Sequence, residues 1–191
     1  MAVETERVFG AMTTENCAAI ILCAGTGTRM ESDLPKVLHP VANKPMISHL
    51  LDTLSVISPE KTVVVVAPGM TQVAETVAPA DTAVQKEALG TGHAVLAARD
   101  DMNGFAGDVL VLFGDTPLLT AETMKNMLLA RRAAENPAVV VLGFRLDDPA
   151  EYGRLVTEAD GGLEGIVEYQ DATDEQREIG FCNAGIMAID G

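Results

Sequence analysis

Residues 22–36 read LCAGTGTRMESDLPK and follow directly on the apolar run AAII at residues 18–21. A buried β-strand that leaves into Gly25 and Gly27 turns sharply, and the backbone N–H groups of such a turn can converge on an anion. Two phosphate-binding patterns do not fit the spacing. A P-loop ends in Gly-Lys-Ser/Thr, and no Gly-Lys follows here. The dinucleotide fingerprint needs a third glycine where Met30 stands, so helix and strand could not close up as that motif requires. What remains is an anion-suited turn with two cations behind it, Arg29 and Lys36, the latter in a loop stiffened by Pro35 and Pro40. Solvated surface charge is the ordinary reading of an isolated arginine or lysine. Their position behind the turn favours a di- or triphosphate.

With 191 residues, 48% of them hydrophobic, the chain can bury one good core and fits a single domain. Its formal net charge of −15 argues against a nucleic-acid polymer or an anionic membrane as partner, while leaving room for a local cationic pocket. No apolar run approaches the roughly 20 residues that span a bilayer. Cys17, Cys23 and Cys182 have no Cys-x-x-Cys spacing, and reduced, buried thiols in a cytoplasmic protein are expected. Residues 1–16, MAVETERVFGAMTTEN, lack the basic start and apolar stretch of a signal peptide and read as a loose leader.

Apolar β-prone runs alternate with helical patterns, which predicts an α/β domain: a Rossmann-like, mainly parallel sheet flanked by helices. Strands are expected at 18–24, 62–67, 82–85, 108–113 and 138–144. Helices are expected at 45–56, 70–77, 92–100 and 121–135, the last entered through Thr120 as N-cap. After Pro149, β-prone segments at 153–157, 163–169 and 181–189, with a short acidic helical piece at 174–178, predict an antiparallel C-terminal extension that forms a lid or floor.

Ligands of an open α/β sheet gather beyond the carboxyl ends of its strands. The first strand ends at Gly25–Gly27 and the fourth at FGDTP, so Asp115 emerges on the same edge. Its functional reading is an oxygen ligand for Mg²⁺, which takes one or two carboxylates plus substrate phosphates; its bland reading is a turn aspartate bonded to its own backbone. In QKEALGTGHA, Gln85 at a strand end can read the edge of a base and Gly90 and Thr91 let a ring lie close, or the glycines and threonine simply cap a helix. His93 reads as a helix-surface residue without a proton-transfer role. No Ser-His-Asp set, zinc cluster or catalytic carboxylate pair stands out, and transfer between phosphates needs none, because a phosphate nucleophile is already ionised.

The run LCAGTGTRMESDLPKVLHPVANKPM resembles the signature loop of sugar-phosphate nucleotidyltransferases. QKEALGTGHA, VLFGDTPLL, EYGRLV, GIVEYQDATDEQREI and CNAGI follow in the order found in the pyrophosphorylase domain of the bacterial bifunctional N-acetylglucosamine-1-phosphate uridylyltransferase/glucosamine-1-phosphate acetyltransferases. The resemblance covers about residues 18–191 and implies a fold of the nucleotide-diphospho-sugar transferase type. It also implies transfer of UMP from UTP to N-acetylglucosamine 1-phosphate with Mg²⁺, giving UDP-N-acetylglucosamine and pyrophosphate. By the same resemblance Ala24 and Gly25 contact the nucleotide, Arg29 and Lys36 meet its phosphates as catalytic cations, and Gln85, Gly90 and Thr91 hold uracil. Asp115 matches the metal-binding aspartate, and Gly153, Glu168 and Asn183 match the positions that hold the amino sugar.

Two parts of that family's pattern have no counterpart in these residues: a second metal ligand, an asparagine late in the pyrophosphorylase domain, and the hexapeptide-repeat acetyltransferase β-helix. Residues 17–191 are therefore expected to be a nucleotidyltransferase domain truncated at its C-terminal end, with weakened turnover. The alternatives are a nucleotidyltransferase for another sugar 1-phosphate and a module that binds a UDP-sugar without turnover.

Overall fold

All six residues of β1 (Cys17–Leu22) are buried, because both faces of the strand are covered. The protein is described by a computed structural model over residues 16–25, 27 and 30–191. The expected leader up to residue 15 lies outside the described residues, as do Thr26, Thr28 and Arg29. After β1 comes a short 3₁₀ turn at Lys36–Leu38, then a small hairpin of β2 (Pro40–Val41) and β3 (Lys44–Pro45). Helix α1 (Met46–Ser55), β4 (Lys61–Val66), α2 (Thr71–Val77), β5 (Asp81–Val84), α3 (Thr91–Ala97), β6 (Asp108–Phe113) and α4 (Ala121–Arg131) follow in alternation. The chain then adds β7 (Val139–Arg145), β8 (Arg154–Thr157), β9 (Leu163–Val167), α5 (Asp174–Arg177) and β10 (Phe181–Asp190).

The sheet runs β5-β4-β1-β6-β10-β8-β9, with β7 laid along β10. Strands β5, β4, β1 and β6 are parallel, and Ile20 sits in register with Val63 on one side and Val111 on the other. Ala19, Ile21, Val64, Leu110 and Leu112 pack under α1, α2 and α4, while Ala18, Ile20, Val63, Val65 and Val111 pack under α3 through Ala94 and Ala98. A period of two is thus hidden inside runs that are apolar throughout. Each fully buried aliphatic side chain contributes about 1.5–3 kcal/mol, so the two faces together carry most of the stabilisation.

The elements match the sequence expectation to within a few residues, and Thr120 caps α4 by accepting from the Thr123 N–H at 3.1 Å. The late strands form the expected antiparallel extension. Its hub is β10, which pairs antiparallel with β6 through Met187–Asp190, with β8 at Cys182, and with β7 along most of its length. The strand expected at 138–144 accordingly runs antiparallel to β10, a pairing of distant segments that local pattern does not encode.

At the amino ends of the strands, Asp108 is buried and ion-paired with Arg131 at 3.5 Å and with Arg132, and Arg131 also pairs with Asp190 and donates to Asn136 Oδ1 at 2.7 Å. This cluster ties the end of α4 to β6 and β10. Truncating one partner of a buried pair strands the other charge at a cost of roughly 3–5 kcal/mol. Asp108→Ala is expected to fall near the lower end, about 3 kcal/mol in urea unfolding, because Asp190 and Asn136 still hold Arg131; a change below about 1 kcal/mol would show that the cluster does not anchor the helix.

Candidate active site

The parallel pairing of β1 and β6 aligns Leu22 with Phe113, so the turn after one strand and the Gly114–Asp115 corner after the other leave the sheet side by side. Their approach is closer than a side chain would permit. A Cβ on Gly114 would collide with Cys23 Sγ and come within 3.0 Å of Val37. Gly27 has φ +59, and a Cβ there would lie 2.8 Å from the Cβ of Lys36. The glycine turn is therefore folded against the segment that carries Lys36, which brings the Lys36 ammonium to 2.5 Å from Asp115 Oδ2.

Two cavities open at this edge. One, of about 300 Å³, is lined by Ala24, Gly25, Lys36, Gln85, Gly90, Thr91 and Asp115. The other, of about 540 Å³, is lined by Gly153, Glu168 and Asn183 together with Thr91, Phe113 and Asp115, which also border the first. Every candidate residue from the sequence that lies among the described residues thus falls on one of two adjoining cavities, and Asp115 stands where they meet. A larger hollow of about 690 Å³ lies at the opposite edge, among Glu60, Lys61, Asp81 and the ends of α1 and α2. That is the amino-end side of a parallel sheet, where such folds do not collect ligands, so size alone does not identify the site.

Within the smaller cavity Gln85 is buried, and its Nε2 donates to the Gly90 carbonyl at 3.2 Å and lies 3.2 Å from His93 Nδ1. His93 is half-buried, which corrects the expectation of a plain helix-surface residue. In the larger cavity the Asn183 N–H donates to the Gly153 carbonyl at 2.8 Å, and Asn183 Oδ1 accepts from the Gly185 N–H at 2.8 Å. The Glu168 carboxylate lies against Gly153, with Oε1 3.2 Å from where a Cβ would be.

The wall behind these residues depends on Arg154, which sequence reasoning passed over. Its guanidinium is buried and donates to the carbonyls of Ala150 at 2.9 Å and Arg177 at 3.1 Å, and to Tyr152, so it fastens the loop before Gly153 to the end of α5. No periodicity marks a buried arginine satisfied by backbone carbonyls.

Among the described residues no cluster of three His, Cys, Asp or Glu side chains could enclose a metal ion. A single carboxylate at the rim of a cavity wide enough for phosphates does fit Mg²⁺, which keeps several waters and draws its other ligands from the substrate. Cys23 supplies no nucleophile. Burial, reinforced by the nearby Asp115 carboxylate, pushes its thiol up to about 12.

A family model described as MobA-like NTP transferase domain matches residues 19–159. The chain belongs to this family. The MobA-like match contains the smaller cavity, Asp115 and Gly153, whereas Glu168 and Asn183 lie after it. The chain is also 60% identical over 174 residues to Bifunctional protein GlmU of Rhodospirillum rubrum, covering 91% of this chain and 39% of that protein. To Bifunctional protein GlmU of Paramagnetospirillum magneticum it is 58% identical over 180 residues, covering 94% and 40%. It therefore spans about 40% of the length of these relatives.

Among solved structures, HddC from Yersinia pseudotuberculosis complexed with GMP-PN is similar with a TM-score of 0.70 at 22% identity, covering 91% of this chain and 76% of that one. A candidate glucose-1-phosphate thymidylyltransferase from Bacillus anthracis, in complex with a sucrose, is similar with a TM-score of 0.73 at 21% identity, covering 91% and 71%. These likenesses bear out the fold of the nucleotide-diphospho-sugar transferase type in a MobA-like chain.

The raised thiol has a stability consequence. Between about 9, the unfolded value, and about 12 the folded chain keeps a proton on Cys23 that the unfolded chain has lost, so stability falls as pH rises through this window. Cys17 is shifted in the same direction, chiefly by burial. Urea unfolding of Cys23→Ala is expected to show a shallower loss of stability above about pH 9 than the parent; identical slopes would remove Cys23 from the alkaline transition.

Proposed function

We propose that this chain transfers UMP from UTP to N-acetylglucosamine 1-phosphate, forming UDP-N-acetylglucosamine and releasing pyrophosphate, with Mg²⁺ and in the cytoplasm. The observation that carries the reading is the pair of cavities meeting at Asp115, one bordered by the glycine turn and Lys36, the other by Glu168 and Asn183. Membership of the MobA-like family and the ordered motifs that resemble N-acetylglucosamine-1-phosphate uridylyltransferases support it, as does the high identity to the GlmU proteins. Among the described residues no helix is long and apolar enough to cross a membrane.

In this reading Ala24, Gly25, Gln85, Gly90 and Thr91 hold the nucleotide, and Gly153, Glu168 and Asn183 hold the sugar. An oxygen of the sugar phosphate attacks the α-phosphorus of UTP, the bond to the β-phosphate oxygen breaks, and pyrophosphate leaves with both electrons of that bond. The nucleophile is already an anion, so no general base is required, and alignment with charge neutralisation carries the catalysis. Lys36 exchanges its contact with Asp115 for the phosphates, and Arg29, by the resemblance of its motif, also meets the phosphates of UTP and the departing pyrophosphate. Asp115, freed from Lys36, would be the residue that holds Mg²⁺. When bound, the ion neutralises charge on the phosphates and on departing pyrophosphate.

Pyrophosphate release from pairings of UTP or another nucleoside triphosphate with N-acetylglucosamine 1-phosphate or another sugar 1-phosphate tests the reaction. A different preferred pair would replace this assignment, and binding of UDP-N-acetylglucosamine without turnover would favour a binding module. Asp115→Asn is expected to lower turnover by at least about 10²-fold while leaving the melting temperature within a few degrees, since the amide keeps the corner's shape and removes the charge; an unchanged response to Mg²⁺ would overturn the metal assignment. In calorimetry, Gln85→Ala is expected to weaken UTP and spare the sugar phosphate, and Glu168→Ala to do the reverse. Both substitutions striking the same ligand would dissolve this division of the cleft.

A further inference from the structure

Buried polar side chains in this fold are generally committed. Asp108 and Arg131 are bound into the ion-pair cluster, and Arg154 is bound to backbone carbonyls. Gln85 differs, because it is buried and yet lines a cavity. The Gly90 carbonyl can only accept, so the 3.2 Å contact to it fixes which end of the Gln85 amide is nitrogen. With Nε2 so placed, His93 Nδ1 at 3.2 Å must also accept, which requires a neutral imidazole carrying its proton on Nε2. Both donors of the amide are then used. Gln85 Oε1 accepts no hydrogen bond among the described residues, and it is the polar atom this side chain has left for an occupant of the cavity.

We propose that His93 is a positioning residue that sets the donor–acceptor sense of the base cavity: by accepting from Gln85, it holds the amide oxygen ready for a ring N–H and against a ring nitrogen with a lone pair. The inference rests on the uridylyl reading and deepens it. Uracil offers an N–H at ring position 3 and is accepted; cytosine offers a lone pair at the same position and is refused. Without the second acceptor only Gly90 orients the amide, which can then turn to present Nε2. Protonation of His93 works in the same direction, because a donor at Nδ1 must break the contact or draw Oε1 toward itself and away from the base.

The strands beneath α3 present Ala18, Ile20, Leu22, Val63, Val65 and Ala83, none of them titratable. The charged residues around it are Lys86 and Glu87, exposed on the loop before α3, Arg99 and Asp100, exposed after α3, and Asp115 on the same cavity as Gln85, and among the described residues His93 forms no ion pair.

The test is calorimetric binding of UTP and CTP to this chain and to its His93→Leu and His93→Asn variants, at about pH 8 and about pH 5.5. The ratio of the two affinities cancels the titration that the triphosphates share. His93→Leu is expected to reduce the UTP preference about 3- to 10-fold at the higher pH, the worth of one neutral hydrogen bond. His93→Asn, which keeps an acceptor on Cγ but cannot titrate, is expected to retain the parent's ratio at both pH values, while the parent's ratio falls on acidification. An unaltered ratio in His93→Leu, or an asparagine variant that follows the parent on acidification, would overturn the inference with the uridylyl reading intact. A parent that binds UTP no better than CTP at either pH would overturn both. Should His93→Leu fail to fold, the pH profiles of the parent and the asparagine variant decide the matter.

Discussion

Parallel pairing of β1 with β6, in register from Cys17 opposite Asp108 to Leu22 opposite Phe113, is the constraint on which the candidate site depends. It brings together two corners far apart in sequence, and Gly114 lets them close to a distance no side chain would permit. The two buried faces hold that register, because slipping one strand by a residue would exchange the residues packed under α3 for those packed under α1, α2 and α4. The placing of Lys36 beside Asp115 is thus a property of the core as much as of the loops.

The contact between Lys36 and Asp115 adds little to stability, since the side chains are 43% and 26% exposed and such pairs are worth at most about 1 kcal/mol. Its value lies in being exchangeable. A cation held loosely by a carboxylate keeps its place in a chain of net charge −15, yet yields to an anion with more charge to offer. Global acidity and a local cationic contact are compatible for this reason: the first acts through a screened field, the second through contact.

Much of this arrangement could be read in the sequence. Apolar runs bounded by Gly, Pro and Asp gave the four parallel strands to within two residues at each end, and their polarity with respect to the chain placed Gly25 and Asp115 on one edge. What was not legible rests on pairings between distant segments. The direction of β7 depends on β10, which follows it only after β8, β9 and α5. The pairing of His93 with Gln85 is a contact across the loop between β5 and α3, set by the path of that loop and not by the period of either element. Arg154 reads as exposed charge, and only the convergence of Ala150, Tyr152 and Arg177 carbonyls makes its burial tolerable. Arg29 stands out in the sequence but lies outside the described residues.

The segment between β7 and β10 begins and ends at one paired stem, and its strands β8 and β9 extend the sheet beside β10. Arg145 is paired with Phe181, and the Leu146 N–H donates to the Gly180 carbonyl at 3.0 Å, so everything between them is a closed excursion on a paired stem. Gly153 and Glu168 belong to the excursion and Asn183 to its stem, whereas the glycine turn, Gln85 and Asp115 belong to the sheet that carries it. Such a layout is modular. Residues can be gained, lost or replaced inside the excursion without shifting a register among β5, β4, β1 and β6, so the lining of the larger cavity can change while that of the smaller one stays in place.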